Sequence, residues 1–123
     1  MPDTFEIPVN RPLSPEERRL IEWLIAHGNE GAQNYASQLD QLSVVAHCSC
    51  GCPTVDLGFG GATKRTIGPS HVLADFVGIA PEGVEVGIIL HAREGRISEL
   101  EIYAVQDFEG SFDLPIIQSL KTC

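Results

Sequence analysis

Three cysteines at alternate positions beside a histidine, in the stretch HCSCGCPT at 47–54, carry the most evident chemistry of this 123-residue chain. Thiolates favour soft cations and an imidazole completes such a shell, so Cys48, Cys50, Cys52 and His47 form a candidate zinc-type site. His71 and His91 are alternative fourth ligands. One intervening residue per cysteine pair is fewer than the two or more with which structural zinc sites wrap a turn around the ion. The competing reading treats the cysteines as small apolar residues at a strand end, with Gly51 and Pro53 supplying the turn. Cys48 and Cys50 then share a side with Val44 and Ala46, opposite Val55, Leu57 and Phe59, on a wholly apolar face. The spacing leans toward this second reading, so the cofactor expectation is none, or zinc. A disulfide is the least expected use. Cys50-Gly51-Cys52 is too tight for an unstrained bridge, and no CxxC at a helix start is present to activate a thiol.

A second group lies further along. Glu99, Glu101 and Tyr103 alternate along one strand, and a neighbouring strand places His91 on the same side. They form a candidate interaction surface, and Glu99, Glu101 and His91 would serve acid–base chemistry if they converged in a pocket. Solvated acids on a sheet face are the commoner case. The segment GFGGATK at 58–64 lacks the GxxxxGK[ST] spacing of a phosphate loop. No serine occupies a nucleophile elbow, and neither HExxH nor a dinucleotide fingerprint occurs. Nothing in the motifs supports an enzyme, and a non-catalytic protein is the expectation.

The elements that must position these residues are legible in the periodicity. Residues 1–13 carry Pro2, Pro8 and Pro12 and read as an extended arm. Ser14-Pro15-Glu16-Glu17 announces a helix, with Ser14 as cap, Pro15 at the first helical position and Glu17 completing a capping box. Leu20, Ile21 and Leu24 form its apolar stripe and Gly28 its stop. Ala32, Tyr35, Ala36, Leu39 and Leu42 recur at helical spacing, so a second helix over 32–42 closes a helix hairpin. From Ser43 onward the period is two. Pro81-Glu82-Gly83 and Arg93-Glu94-Gly95 both suit three-residue hairpin loops ending in a left-handed glycine. These loops pair Phe76 with Ile88 and Leu90 with Ser98. One face of three strands then carries Val72, Ala74, Phe76, Val86, Ile88, Leu90, Leu100, Ile102 and Ala104. Ile97 falls on the opposite face with Val77, Ile79, Ile89 and the acids. That mixed face needs a cover, from within the chain or from a second copy in a homodimer. Residues 60–70 read as a surface loop. The expectation is α+β: an N-terminal helix hairpin on an antiparallel meander of about five strands, with one domain over 14–105 and an acidic tail over 106–123 lying on or near it.

Charge bounds the partners. Eight Lys and Arg against 17 Asp and Glu give a formal net charge of −9. Such a surface repels phosphate backbones, so nucleic acid is not an expected partner, and a basic protein is the electrostatic complement. No apolar run approaches the roughly 20 residues that span a bilayer, and no secretory signal opens the chain. A cytoplasmic protein with reduced thiols and no membrane contact is expected.

At HCSCGCPTVDL and GRISELEIYAV the chain resembles a family of small bacterial proteins of unassigned function, which pair a CxCGC turn with an SELE[IV]Y strand after an N-terminal helix hairpin. The likeness runs from about Leu13 to Val105. It implies that Cys48, Cys50, Cys52, Glu99, Glu101 and Tyr103 are recurring features, and it brings no activity or ligand. The leading functional expectation is therefore a non-catalytic binding protein with an acidic surface for a basic macromolecular partner. The alternative is a small metal-binding protein built on the cysteine turn.

Overall fold

The alternation that begins after residue 42 builds most of a seven-stranded antiparallel sheet in the computed structural model, which describes residues 6–60, 62, 64 and 66–122. In chain order the strands are β1 (Glu6–Pro12), β2 (Leu42–Cys48), β3 (Val55–Phe59), β4 (His71–Ile79), β5 (Glu85–Arg93), β6 (Arg96–Ala104) and β7 (Lys121–Thr122). In space they run β1-β2-β3-β6-β5-β4-β7. Helix α1 (Pro15–His27) and a 3-10 helix (Ala32–Gln41) precede β2, and a 3-10 turn (Ile117–Ser119) precedes β7. The architecture is α+β, and the five expected strands gain one at each edge. Part of the expected arm is β1, which pairs with β2 from Glu6↔Cys48 to Pro12↔Ser43. Its prolines obscure it as a strand in the sequence, yet an edge strand tolerates them. Met1 to Phe5 of the arm, Gly61, Thr63 and Arg65 of the 60–70 loop, and Cys123 lie outside the described residues.

Helix α1 begins as its residues dictate. The Glu17 N–H donates to Ser14 Oγ at 3.1 Å, and the Ser14 N–H donates to Glu17 Oε1 at 2.8 Å. The same carboxylate accepts two bonds from Arg11, at 2.9 and 2.8 Å, which ties β1 to the helix start. Burial pushes the Glu17 carboxyl upward, but the Arg11 guanidinium and the Ser14 bonds outweigh it and hold the group below the usual range. Leu20, Ile21 and Leu24 are fully buried against the sheet, each contributing about 1.5–3 kcal/mol by leaving water. The second helical segment is not an α-helix. With three residues per turn, Ala32, Tyr35 and Gln38 align along one edge. Gln38 then reaches the β5–β6 turn, donating from Nε2 to the Gly95 carbonyl at 2.8 Å and accepting from the Ile97 N–H at 2.9 Å.

The Pro81-Glu82-Gly83 loop is as expected, with Phe76↔Ile88 and Gly78↔Val86 paired across it. The next turn differs. Arg93 pairs with Arg96, so only Glu94 and Gly95 turn the chain, and both have positive φ, 54° and 74°. That is the primed type of two-residue hairpin turn, with Glu94 in a conformation that favours glycine or asparagine. A bulge then inserts Ser98 between His91↔Glu99 and Ala92↔Ile97. Two turn residues plus one bulged residue keep the parity of a three-residue loop, so Leu100, Ile102 and Ala104 face the core as expected. Their partners slip by two: Leu90 meets Leu100, not Ser98. The bulge also rotates Ile97 off the mixed face into the core, where it is fully buried. A similar irregularity at Leu73 buries that residue and turns Val72 to the side of its partner His91.

The order β3-β6-β5-β4 has a further consequence. The connection from β3 to β4 must cross β6 and β5, and it crosses the sheet face opposite α1. Gly68 and Ser70 accordingly sit against residues of β5: Arg93 Nε donates to the Gly68 carbonyl at 3.1 Å, and Ser70 bonds His91. The end of this connection, Gly68 to Ser70, is a strap across the mixed face. The C-terminal segment closes the far edge, with the Ile116 N–H donating to the Ile79 carbonyl at 2.9 Å and β7 pairing with β4.

Candidate functional site

The cysteine turn is placed by a bulge in β2. Val44 pairs with Leu57 on the helix side, but Ala46 pairs with Asp56 and His47 with Val55, so Val45 is an extra residue. Beyond it the parity flips. Ala46 and Cys48 therefore turn to the face of Asp56, while His47 takes the helix side, where it lines a polar cleft with Arg11, Glu17 and Thr54. This overturns the expectation that Cys48 shares an apolar face with Val55 and Leu57. Cys50 is exposed and Cys48 and Cys52 half-buried, so none of the three is a core residue.

What the turn does instead is gather sulfurs. The three Sγ atoms all lie within 4.8 Å of one another, with Cys50 and Cys52 Sγ 3.0 Å apart. The Cys50 N–H donates to Cys48 Sγ at 3.3 Å, and the Cys52 N–H donates to Cys50 Sγ at 3.4 Å. Gly51 at φ 97° makes the bend, and a Cβ there would crowd Ser111 of the C-terminal segment. Burial raises the Cys50 thiol, but hydrogen bonds from Cys48 and Cys52 and from backbone N–H groups outweigh that and hold it below its ordinary value. The Cys48 thiol is pushed up to about 12, by burial first and then by its bond with Cys50. The trio thus concentrates negative charge on its central sulfur. A zinc-type site of the expected kind is geometrically available to the three cysteines. His47, the fourth expected ligand, is not part of this cluster and lines the neighbouring cleft beside Cys52.

The sulfurs open into a cavity of about 390 Å³, also lined by Glu99, Glu101, Tyr103, Phe108 and Phe112. Thr54 ends the β3–β6 ladder beside it: its hydroxyl donates to the Ile102 carbonyl at 2.9 Å and accepts from the Ile102 N–H at 2.8 Å. Tyr103 pairs with Gly87 and lies flat over it, since a Cβ on Gly87 would run into the ring. The expected interaction residues His91, Glu99, Glu101 and Tyr103 do share this face. Their charges are already engaged: Glu101 Oε1 bonds His91 Nε2 at 2.8 Å, and Glu99 Oε1 bonds Arg93 at 3.3 Å. His91 faces Glu99 directly in the ladder, but Arg93 holds Glu99, so the imidazole bonds diagonally to Glu101. Its other nitrogen bonds Ser70, a residue that nothing in the sequence singles out, because the contact arises from the strap crossing β5. Among the described residues no helix is long and apolar enough to cross a membrane. Compared with known proteins, the chain matches no family model, no curated protein and no solved structure.

Proposed function

We propose that the protein binds a thiophilic cation of the zinc type through Cys48, Cys50 and Cys52. The observation that carries this reading is the convergence of three Sγ atoms within 4.8 Å, two of them accepting backbone N–H bonds. At Cys50 such donors favour thiolate, which is the form that ligates metal. Three sulfurs on a surface turn leave part of the ion's shell open, which suits a site that takes up and hands on its ion. Elemental analysis of protein purified without an affinity tag is expected to find zinc or another thiophilic metal, lost in Cys50→Ser. Chelation is expected to lower the melting temperature. A native mass equal to the bare chain, with melting unchanged by chelator, rules the reading out.

Binding of a basic protein through the acidic surface is the second reading, motivated by the charge of −9 and by Tyr103 and Phe108, each 42% exposed at the cavity rim. It ranks below the first because Glu99 and Glu101 already hold Arg93 and His91.

A further inference from the structure

On the same sheet face, reaching the rim of the cysteine cavity at Glu101, three side chains from separate segments form one hydrogen-bonded line. Ser70 Oγ, on the strap, bonds His91 Nδ1 in mid-β5, and His91 Nε2 bonds Glu101 Oε1 on β6 at 2.8 Å. The imidazole side chain is 12% exposed and the carboxylate 37%, whereas Ser70 is exposed. Hydroxyl, base and orienting acid thus stand in the order that nucleophilic catalysis requires, with the base the most buried of the three. Arg93 braces the line twice: it bonds Glu99, the carboxylate directly opposite His91, and its Nε bond to the Gly68 carbonyl anchors the strap two residues before Ser70.

We infer that Ser70, His91 and Glu101 form a second site: an acyl-transfer centre for small unhindered esters, with Ser70 as nucleophile and His91 as base. With hydrogen on Nε2, the ring donates to Glu101 and Nδ1 accepts the Ser70 hydroxyl. Ser70 Oγ forms a bond to the ester carbonyl carbon as its proton passes to Nδ1. The tetrahedral adduct collapses, the ester C–O bond breaks, and the leaving alcohol takes that proton. Water then attacks the acyl-serine, giving a proton to Nδ1; the carboxylic acid departs and Ser70 Oγ recovers the proton. Ester and water become acid and alcohol, with no oxidant and no metal. Ser70 and His91 touch the reacting atoms, and Glu101 is a positioning residue that holds the ring in the productive tautomer.

The test uses the full chain with its thiols capped by iodoacetamide, so that the cysteines do not contribute. A fluorophosphonate probe is expected to add once, at Ser70, with loss of fluoride, as read by peptide mass spectrometry. Ser70→Ala is expected to abolish the adduct, and His91→Gln to slow it about a hundredfold or more. With p-nitrophenyl acetate, Glu101→Gln is expected to lower kcat about tenfold with KM unchanged, a split that a merely structural role would not produce. Circular dichroism of each variant must match the parent. No adduct, labelling spread over several hydroxyls, or full labelling in folded His91→Gln overturns the inference. None of these outcomes bears on metal binding by the cysteines.

Discussion

The two faces of the sheet are built on different rules. The face against α1 is filled by alternating aliphatic side chains, with Ile88, Leu90, Leu100 and Ile102 no more than 1% exposed. The opposite face carries Asp56, Glu99, Glu101, His91 and Cys48, and is crossed by the strap and bordered by Phe108 and Phe112 instead of a helix. Burial stabilises the first face through area, whereas the second is organised by directed bonds: Arg93 to Glu99, Glu101 to His91, and backbone N–H to sulfur. Stability and chemistry are thereby separated to opposite sides of one layer.

The sharpest way to break this contrast is to damage the helix side. Ile88→Ala is expected to cost about 3–4 kcal/mol in denaturant unfolding, because the cavity opens in the middle of the core. It should leave metal content unchanged in the protein that remains folded; a parallel loss of metal would show that the faces are coupled. The next largest effect is at the joint between β1 and α1. Glu17→Ala is expected to cost about 2–3 kcal/mol, combining a lost capping box with an Arg11 left without its carboxylate. Because the Glu17 carboxyl is held below its ordinary value in the fold, its stabilising contribution is present above the unfolded carboxyl range near pH 4. It is lost as pH falls through the lower folded value. Acid titration of stability should therefore flatten in Glu17→Gln, and an unchanged profile would place the acid sensitivity elsewhere. The smallest effect is on the other face. Glu94→Asn is expected to raise stability by about 0.5–1 kcal/mol, relieving the positive φ of 54° in the primed turn. The gain is small because the Glu94 side chain also rests against Gly68 of the strap.

The contrast also explains what could be foreseen. Ser14 and Glu17 make their capping box, and Pro81-Glu82-Gly83 sets its register, because both are local patterns of a few residues. The composition of the core face around Leu100 and Ile102 follows from period two, and survives the wrong turn length because turn and bulge together preserve parity. Bulges themselves leave no mark in a single sequence: Val45, Leu73 and Ser98 look like ordinary strand residues. Each one moves its neighbours across the sheet, and so Cys48 leaves the apolar side, Val72 turns toward His91 and Ile97 enters the core. Ser70 was hidden for a different reason, since only the strand order brings the strap over His91. The trio of cysteines was visible from spacing alone, but the turn of Cys48 off the apolar side depends on the flip at Val45.

Thr54 uses one side-chain oxygen where the ladder would otherwise continue with backbone. The six residues before β3 are consequently fastened to β6 by a clasp instead of a zipper. The sulfur-bearing loop therefore lies outside the ladder that keeps Val55–Phe59 in register, and none of its three cysteines is a member of the hydrophobic interior.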